Sequence, residues 1–269
     1  MTRVPLFLLL ALTWAARSVA LPLQPGEQLT YRVSWAVVPG AGQIKIAATP
    51  DPAAPRERMK VATTTATRAF ARMLMTFDAK SEAIFDLKTG KLLAQEESTD
   101  QGEKHSQHSV TFDYAQRHAT YTNRAEKPPT RELPMPAGEP TDLIMGLLQT
   151  RSWNLKPGEK QDALVLFDDD FYELTIHFAR YENVTTPLGT YKTVVLEPRM
   201  ERTAPKGMFK RGSKVRVWIA QDENRLPVKF EVVFKIGTGT ATLESYTPPA
   251  GKTAAAATPP ASNAQNPRS

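Results

Sequence analysis

Apolar and polar residues alternate along most of the chain between residues 29 and 236. Near its start, Leu29, Tyr31 and Val33 alternate with Thr30 and Arg32. A period of two indicates strands with one buried face. The same alternation recurs, between turn residues, around residues 44–48, 83–87, 108–113, 119–122, 174–178, 191–196, 215–219 and 226–236. The pattern predicts roughly ten to twelve strands with short turns, which is typical of antiparallel sheet.

Two segments show the period of a helix instead. Residues 68–77 place Phe70, Leu74 and Phe77 on one stripe. A second helix is expected to begin at Thr141 or Asp142, either of which is a good N-cap residue. Both apolar stripes are interpreted as faces that pack on the core, rather than as cofactor-binding surfaces.

The two ends of the chain differ in composition from the region between them. Residues 1–20 combine an early arginine, a short apolar run and small residues before Ala20, which predicts a signal peptide cleaved after Ala20. The apolar run is about half as long as a membrane-spanning helix, so a retained membrane anchor is the weaker alternative. Residues 247–269 are rich in Pro and Ala and are expected to be a disordered tail.

The remaining residues, 21–246, are predicted to form one β-rich domain. The second helix lies in the region 138–157, which separates the strands into an earlier and a later group. The sequence leaves open whether these two groups belong to one sheet or to two sub-sheets.

Net charge and cysteine content exclude several classes of protein. The full chain has a net charge of +6, but four of its 34 basic residues and none of its 28 acidic residues lie in the two ends. The predicted domain therefore carries only +2, too little to indicate a nucleic-acid-binding surface. The chain has no cysteine, which excludes disulfides, a thiol nucleophile and the lipidated cysteine of a bacterial lipoprotein.

Two acidic clusters are candidates for a catalytic pair or a cation site. Asp222 and Glu223 lie between two alternating segments, where a hairpin turn is favoured over an acid/base pair because adjacent turn residues point in different directions. Asp168, Asp169 and Asp170 lack the spacing and the glycine of a calcium loop, so a second hairpin turn is favoured over a cation site.

Histidines and nucleophiles give no catalytic or metal-binding pattern. His105 and His108 fall in a strand-like context, where a spacing of three puts them on opposite faces, and we expect both on a solvated edge. The serines lack a nucleophile elbow, and no phosphate-binding or dinucleotide-binding glycine motif is present. The sequence therefore assigns no catalytic residues, no metal ligands and no cofactor, and it favours a protein that is not an enzyme.

One surface feature predicts binding. The segment 206–214 mixes four cations with Met and Phe, and it leads into a strand that carries Arg216 and Trp218 on its predicted polar face. The alternative to a binding rim is an ordinary solvated loop. The predicted rim that would meet anionic lipid headgroups or acidic polymer consists of Phe209, Lys210, Arg211, Arg216 and Trp218.

Three strand-and-turn motifs resemble those of one protein family. They are Pro25–Val33 (PGEQLTYRV), Thr186–Tyr191 (TPLGTY), and the pair Val217–Asp222 (VWIAQD) and Arg225–Val228 (RLPV). Together they resemble the exported bacterial family called domain of unknown function 3108, over most of residues 25–246. The resemblance implies a soluble periplasmic β-rich protein with curved open sheets, like those of periplasmic lipoprotein carriers, and it brings no catalytic residues.

These observations predict a mainly β fold with one or two curved, open-barrel-like antiparallel sheets and one or two short amphipathic helices. The favoured function is a non-catalytic periplasmic protein that binds a cell-envelope component or a lipid-like ligand in the concave sheet, with no nucleic-acid partner and no transmembrane segment after signal removal. A periplasmic hydrolase whose dispersed carboxylates meet only in the fold is the first alternative. An outer-membrane β-barrel is the second, since its strands alternate in the same way.

Overall fold

Fifteen strands form a single hydrogen-bonded sheet in this computed structural model, which describes residues 21–74, 76–207, 209, 213–234, 237–249 and 251. The strands are β1 Gln28–Trp35, β2 Val38–Pro50, β3 Arg58–Thr67, β4 Phe77–Asp86, β5 Leu92–Gln101, β6 Lys104–Asp113, β7 His118–Thr122, β8 Thr130–Pro134, β9 Pro140–Asp142, β10 Lys160–Phe167, β11 Asp170–Thr186, β12 Gly189–Arg199, β13 Lys214–Ala220, β14 Pro227–Phe234 and β15 Gly237–Thr247. Two short helices, α1 Ala69–Leu74 and α2 Leu143–Leu148, and a 3₁₀ helix, Gln149–Ser152, complete the described elements. The predicted mainly β, curved and open-barrel-like fold is confirmed.

The strands form a long meander whose first and last strands are neighbours in the middle of the sheet. Strands β1 to β8 each pair with the next in the chain, and so do β9 to β15. The first and last strands then pair with each other, because β1 lies antiparallel to β15. All pairs are antiparallel except β9 with β10. The strand groups on either side of residues 138–157 therefore belong to one sheet, whose two edges are β8 and β9.

The sheet is so strongly curved that one of its ends packs on the other. Along β10, Ala163 and Val165 point into one apolar cluster, whereas Leu164 and Leu166 belong to another. This second cluster also contains residues from β6 and β7, including Val110. Since alternate residues of a strand point to opposite faces, β10 is covered on both sides. Its outer face lies against the inner face of β6 and β7, which produces the barrel-like shape.

The two helices are short, and α2 lies within the curl. Asp142 caps α2, because its Oδ1 accepts from the backbone N–H groups of Ile144 and Met145 at 2.8 and 3.0 Å. This confirms one of the two N-cap residues expected from the sequence. A Cβ added at Gly146 would lie 2.8 Å from Val165 Cγ2, so the glycine permits close packing of α2 on β10. Helix α1 is shorter than the predicted 68–77 helix.

A buried ion pair anchors the chain leading into β1. Arg151 Nη1 lies 2.8 Å from Glu27 Oε1, and both side chains are largely buried. The same guanidinium donates to the carbonyl oxygens of Pro22 and Asn224. These contacts join the 3₁₀ helix to the chain before β1 and to the β13–β14 turn, and so fix one end of the curl.

The predicted signal peptide, its cleavage site after Ala20 and most of the predicted tail lie outside the described residues. Within the part of the chain that the structure describes, every helix is too short or too polar to span a bilayer.

Candidate functional site

The segment that follows β12 packs against Tyr172 of β11. Lys206 donates to Asp170, and its Nζ lies 5.0 Å from the centre of the Tyr172 ring. Gly207 has a φ of +51°, and a Cβ there would lie 2.1 Å from the Tyr172 hydroxyl oxygen. Only glycine fits both the backbone conformation and the contact. This packing positions the half-buried ring of Phe209, whose centre is 6.4 Å from that of Tyr172.

Phe209 lies between two cavities. The first has a volume of about 90 Å³ and is lined by apolar and aromatic side chains from α2 and from β10 to β14. The second, of about 430 Å³, lies at the end of β12 and the start of β13 and includes three cationic residues and one anionic residue. The residues that line both cavities are Pro198, Phe209 and Val215. We refer to these spaces as the apolar cavity and the basic cavity.

The basic cavity carries charges that differ in their pairing. Arg216 pairs with Glu231 at 2.5 Å, and Arg199 pairs with Glu197 at 2.7 Å. Lys214 is exposed and forms no ion pair with any described residue. An exposed cation beside an apolar wall is suited to meet the anionic end of an amphipathic molecule.

The predicted binding rim is only partly brought together. Phe209 and Arg216 both line the basic cavity, while Lys210 and Arg211 lie outside the described residues. Trp218 was expected on an exposed polar face, and that expectation is wrong, because the side chain is only 1% exposed. Lys229 and Arg216 lie over its ring, with the Lys229 Nζ at 4.2 Å from the centre. Trp218 therefore serves as a packing residue beneath the cationic side chains.

A third cavity, here called the polar cavity, adjoins the apolar one. It has a volume of about 140 Å³ and lies between α2 and the inner face of β3, β4 and β5. Leu143 and Phe167 line both it and the apolar cavity. Its polar side chains on the inner face are Thr63, Thr65, Ser81, Gln95 and Glu97, together with Asp142 at the start of α2.

Burial perturbs both carboxyl groups of the polar cavity. Burial raises the pKa of Asp142 to about 6, although hydrogen bonds from Met145 and Ile144 oppose the shift, and the nearby charge of Glu97 adds to it. Burial also raises the pKa of Glu97, and the charge of His108 opposes that shift. Raised carboxyl pKa values of this kind are typical of functional sites, although packing alone also produces them.

His108 lies where the two ends of the curved sheet pack on each other. His108 is 7% exposed, with Nε2 4.0 Å from Glu97 and Nδ1 3.8 Å from Asp168 at the β10–β11 turn. Its ring stacks on Tyr121 with centres 5.2 Å apart. The expected solvated edge is therefore wrong for His108 but fits His105, which is exposed. The alternation along β6 is interrupted by polar residues, so burial by a distant turn could not be predicted locally.

The two acidic clusters are both turns. Asp222 Oδ1 accepts from the backbone N–H groups of Asn224 and Arg225, between β13 and β14. Asp168 and Asp169 form the β10–β11 turn, and Asp169 pairs with Arg131. No group of three or more His, Asp or Glu side chains suited to a metal ion is found among the residues described.

Only half of the polar cavity was predictable from the sequence. Thr63 and Thr65 continue the phase of Met59 and Val61 on β3, so their polar side chains were predictable on the inner face. The partners that complete the cavity come from the start of α2 and from β10, about 80 to 100 residues further along the chain.

Comparison with known families decides the classification. The family described as "Protein of unknown function (DUF3108)" matches residues 30–244. The chain belongs to this family. The match spans nearly the whole DUF3108 sheet, from β1 to β15, and so includes all three cavities. No curated protein matches the sequence.

One solved structure is similar to this chain in its fold. A β-barrel-like protein of the DUF1849 family from Brucella abortus is similar with a TM-score of 0.54 and 8% identity, over 85% of this chain and 99% of that one. At this identity the likeness concerns the fold alone. A candidate lipoprotein from Parabacteroides distasonis matches with a TM-score of 0.31 and 10% identity, over 84% of this chain and 97% of that one.

Proposed function

We propose that this DUF3108 protein is a non-catalytic periplasmic protein that binds an amphipathic ligand with an anionic group. The observation that carries the proposal is that the apolar and basic cavities are adjacent and share the lining residues Pro198, Phe209 and Val215. The apolar cavity, at about 90 Å³, would hold the end of an apolar tail, and the anionic group would meet Lys214 and the paired arginines. The shared lining residues allow one molecule to contact both environments.

Charge and burial determine which end of the ligand goes where. The apolar cavity is bounded by residues such as Leu147, Leu174 and Phe230. A charged group placed there would lose its hydration without a partner, whereas an alkyl group gains about 25 cal/mol per Å² of apolar surface removed from water. The charged end is therefore confined to the basic cavity.

The periplasmic part of the proposal rests on residues 1–20, whose composition is that of a cleaved signal peptide. Expression of the full chain in a Gram-negative host, followed by N-terminal sequencing of the osmotic-shock fraction, tests it. Leu21 is the expected first residue, and a product that retains Met1 would contradict it.

The binding proposal is tested by calorimetric titration with three octyl probes below their critical micelle concentrations. Octyl phosphate is expected to bind more tightly than octyl glucoside, and octyltrimethylammonium more weakly still. Lys214→Ala should weaken octyl phosphate binding about two- to fivefold. Lys104→Ala, which removes an exposed lysine from the start of β6, serves as the matched control and should have no effect. Equal affinity for all three probes, or binding of none, would contradict the proposal.

A further inference from the structure

The polar cavity holds hydrogen-bond acceptors that the described residues leave unused. Gln95 Oε1 and Asp142 Oδ2 are both buried and have no hydrogen-bond partner among the described residues. The two side chains are only 5% and 6% exposed, and both line the cavity. An unsatisfied buried acceptor costs roughly 1–3 kcal/mol. Because both acceptors belong to side chains that line the same cavity, a donor bound there could satisfy both after small side-chain movements.

The carboxyl group of Asp142 lacks a cationic partner among the described residues, whereas His108 lies 4.0 Å from Glu97. Asp142 is perturbed by the charge of Glu97, and no cation contributes to its environment. Lys80 lines the cavity, but its side chain is more than half exposed and its Nζ pairs with Glu82 at 2.7 Å. A cationic donor would therefore satisfy the hydrogen bonds and balance the charge together.

The size of the cavity limits what that donor is. A volume of about 140 Å³ holds roughly four to five water-sized groups at about 30 Å³ each. An ammonium group has three donors on one atom, which equals the number of acceptor side chains supplied by Gln95, Asp142 and Glu97. We infer that the polar cavity of this protein binds a primary ammonium group.

This inference goes beyond the proposed function and does not rest on it. It concerns a different cavity, a ligand group of opposite charge and a different probe. The carboxylates must be ionised to bind the cation, so affinity should fall as the pH drops through about 6. The titratable groups around Asp142 and its neighbour Glu97 are His108 on β6 and Asp168 in the β10–β11 turn, and Lys80 faces outward.

The test is a ¹H–¹⁵N NMR titration at pH 7.5 with n-propylammonium chloride. The amides of Ile144 and Met145, which donate to Asp142, should shift saturably. Tetramethylammonium chloride has the same charge without N–H donors and should leave them unchanged. Asp142→Asn keeps an oxygen for the cap but puts an amide NH₂ in place of the unused oxygen, and should weaken binding at least about tenfold.

Asp113→Asn is the matched control. Asp113 Oδ1 also accepts from the N–H groups two and three residues ahead, both at 2.9 Å, but in an exposed turn. It should bind propylammonium as the wild type does, and Glu97→Gln provides a second weakened variant whose fold is checked from the same spectra. Equal shifts with tetramethylammonium, unchanged affinity in both cavity variants, or no saturable shift would overturn the inference, with water as the only occupant.

Discussion

The concave face of the sheet has two walls, β11–β14 and β3–β5. In both, alternate residues point inward, but the inward side chains differ in polarity. On β11 to β14, the inner positions are apolar, as at Phe178, Leu196 and Val217. On β3 to β5, the inner positions towards one end of the strands are polar, as at Ser81 and Gln95. The β11–β14 wall stabilises the fold because it removes apolar surface from water. The β3–β5 wall instead buries polar groups, which costs stability but leaves groups that could recognise a ligand. Buried polar positions without partners are the ones that a ligand can satisfy.

The largest predicted effect is the difference in unfolding free energy lost when a buried residue of each wall is replaced by alanine. Leu196→Ala, at a position with 0% exposure, should lower the free energy of unfolding by about 2–5 kcal/mol. Gln95→Ala removes a side chain of similar size from an equally buried position, yet it also removes the unpartnered acceptor. It should cost less than about 1 kcal/mol. Urea unfolding of both variants measures the difference, and equal losses would contradict the distinction between the walls.

A second prediction concerns how the free energy of unfolding depends on pH through the ionisation of buried Asp142. The pKa of Asp142 is raised from 3.8 to about 6 in the folded protein, so the folded state binds the proton more tightly than the unfolded state. The resulting stabilisation is fully present below about pH 4 and is lost as the pH rises through 6, which amounts to about 3 kcal/mol. Asp142→Asn should lack this loss.

The measurement is urea unfolding of wild type and Asp142→Asn between pH 4 and pH 7. Other titrating groups affect both proteins alike, so the difference between the two curves isolates Asp142, apart from its interaction with Glu97. Parallel curves would show that the carboxyl is not perturbed in the folded protein.

The smallest effect is expected at a loop outside both walls. Replacing Asp222 and Glu223 by Asn and Gly retains an oxygen that accepts from the N–H groups of Asn224 and Arg225. Unfolding free energy should change by no more than about 0.5 kcal/mol, and binding of octyl phosphate should be unchanged. A folded variant that has lost binding would move the functional centre to this turn.

Much of the sheet was predictable because its determinants are local. Alternating positions predicted the strands, and the polar side chain of Asp142 before an apolar helical segment predicted the cap. Trp218 was misplaced because β13 is buried on both faces, with Trp218 and Val217 in different apolar clusters. Alternation cannot distinguish such a strand from one with a solvated face.

The candidate site depends on contacts that no local pattern contains. His108 is buried by the Asp168 turn, 60 residues further along the chain. The polar cavity likewise joins Gln95 to Asp142 only because the sheet curls over α2. The hydrolase alternative requires dispersed carboxylates to meet, and Glu97 lies close enough to Asp142 for its charge to raise the pKa of Asp142. Their catalytic use stays a prediction.

The most direct test of the central claim is to block the junction between the apolar and basic cavities. Val215 lines both, so the larger side chain of Val215→Phe should reduce the space in both cavities and weaken octyl phosphate binding at least about tenfold in calorimetry. Val37→Phe makes the same substitution at a residue that is 93% exposed and should bind like wild type. If Val215→Phe is folded, as judged by its thermal midpoint, and still binds with wild-type affinity, the ligand does not occupy these cavities.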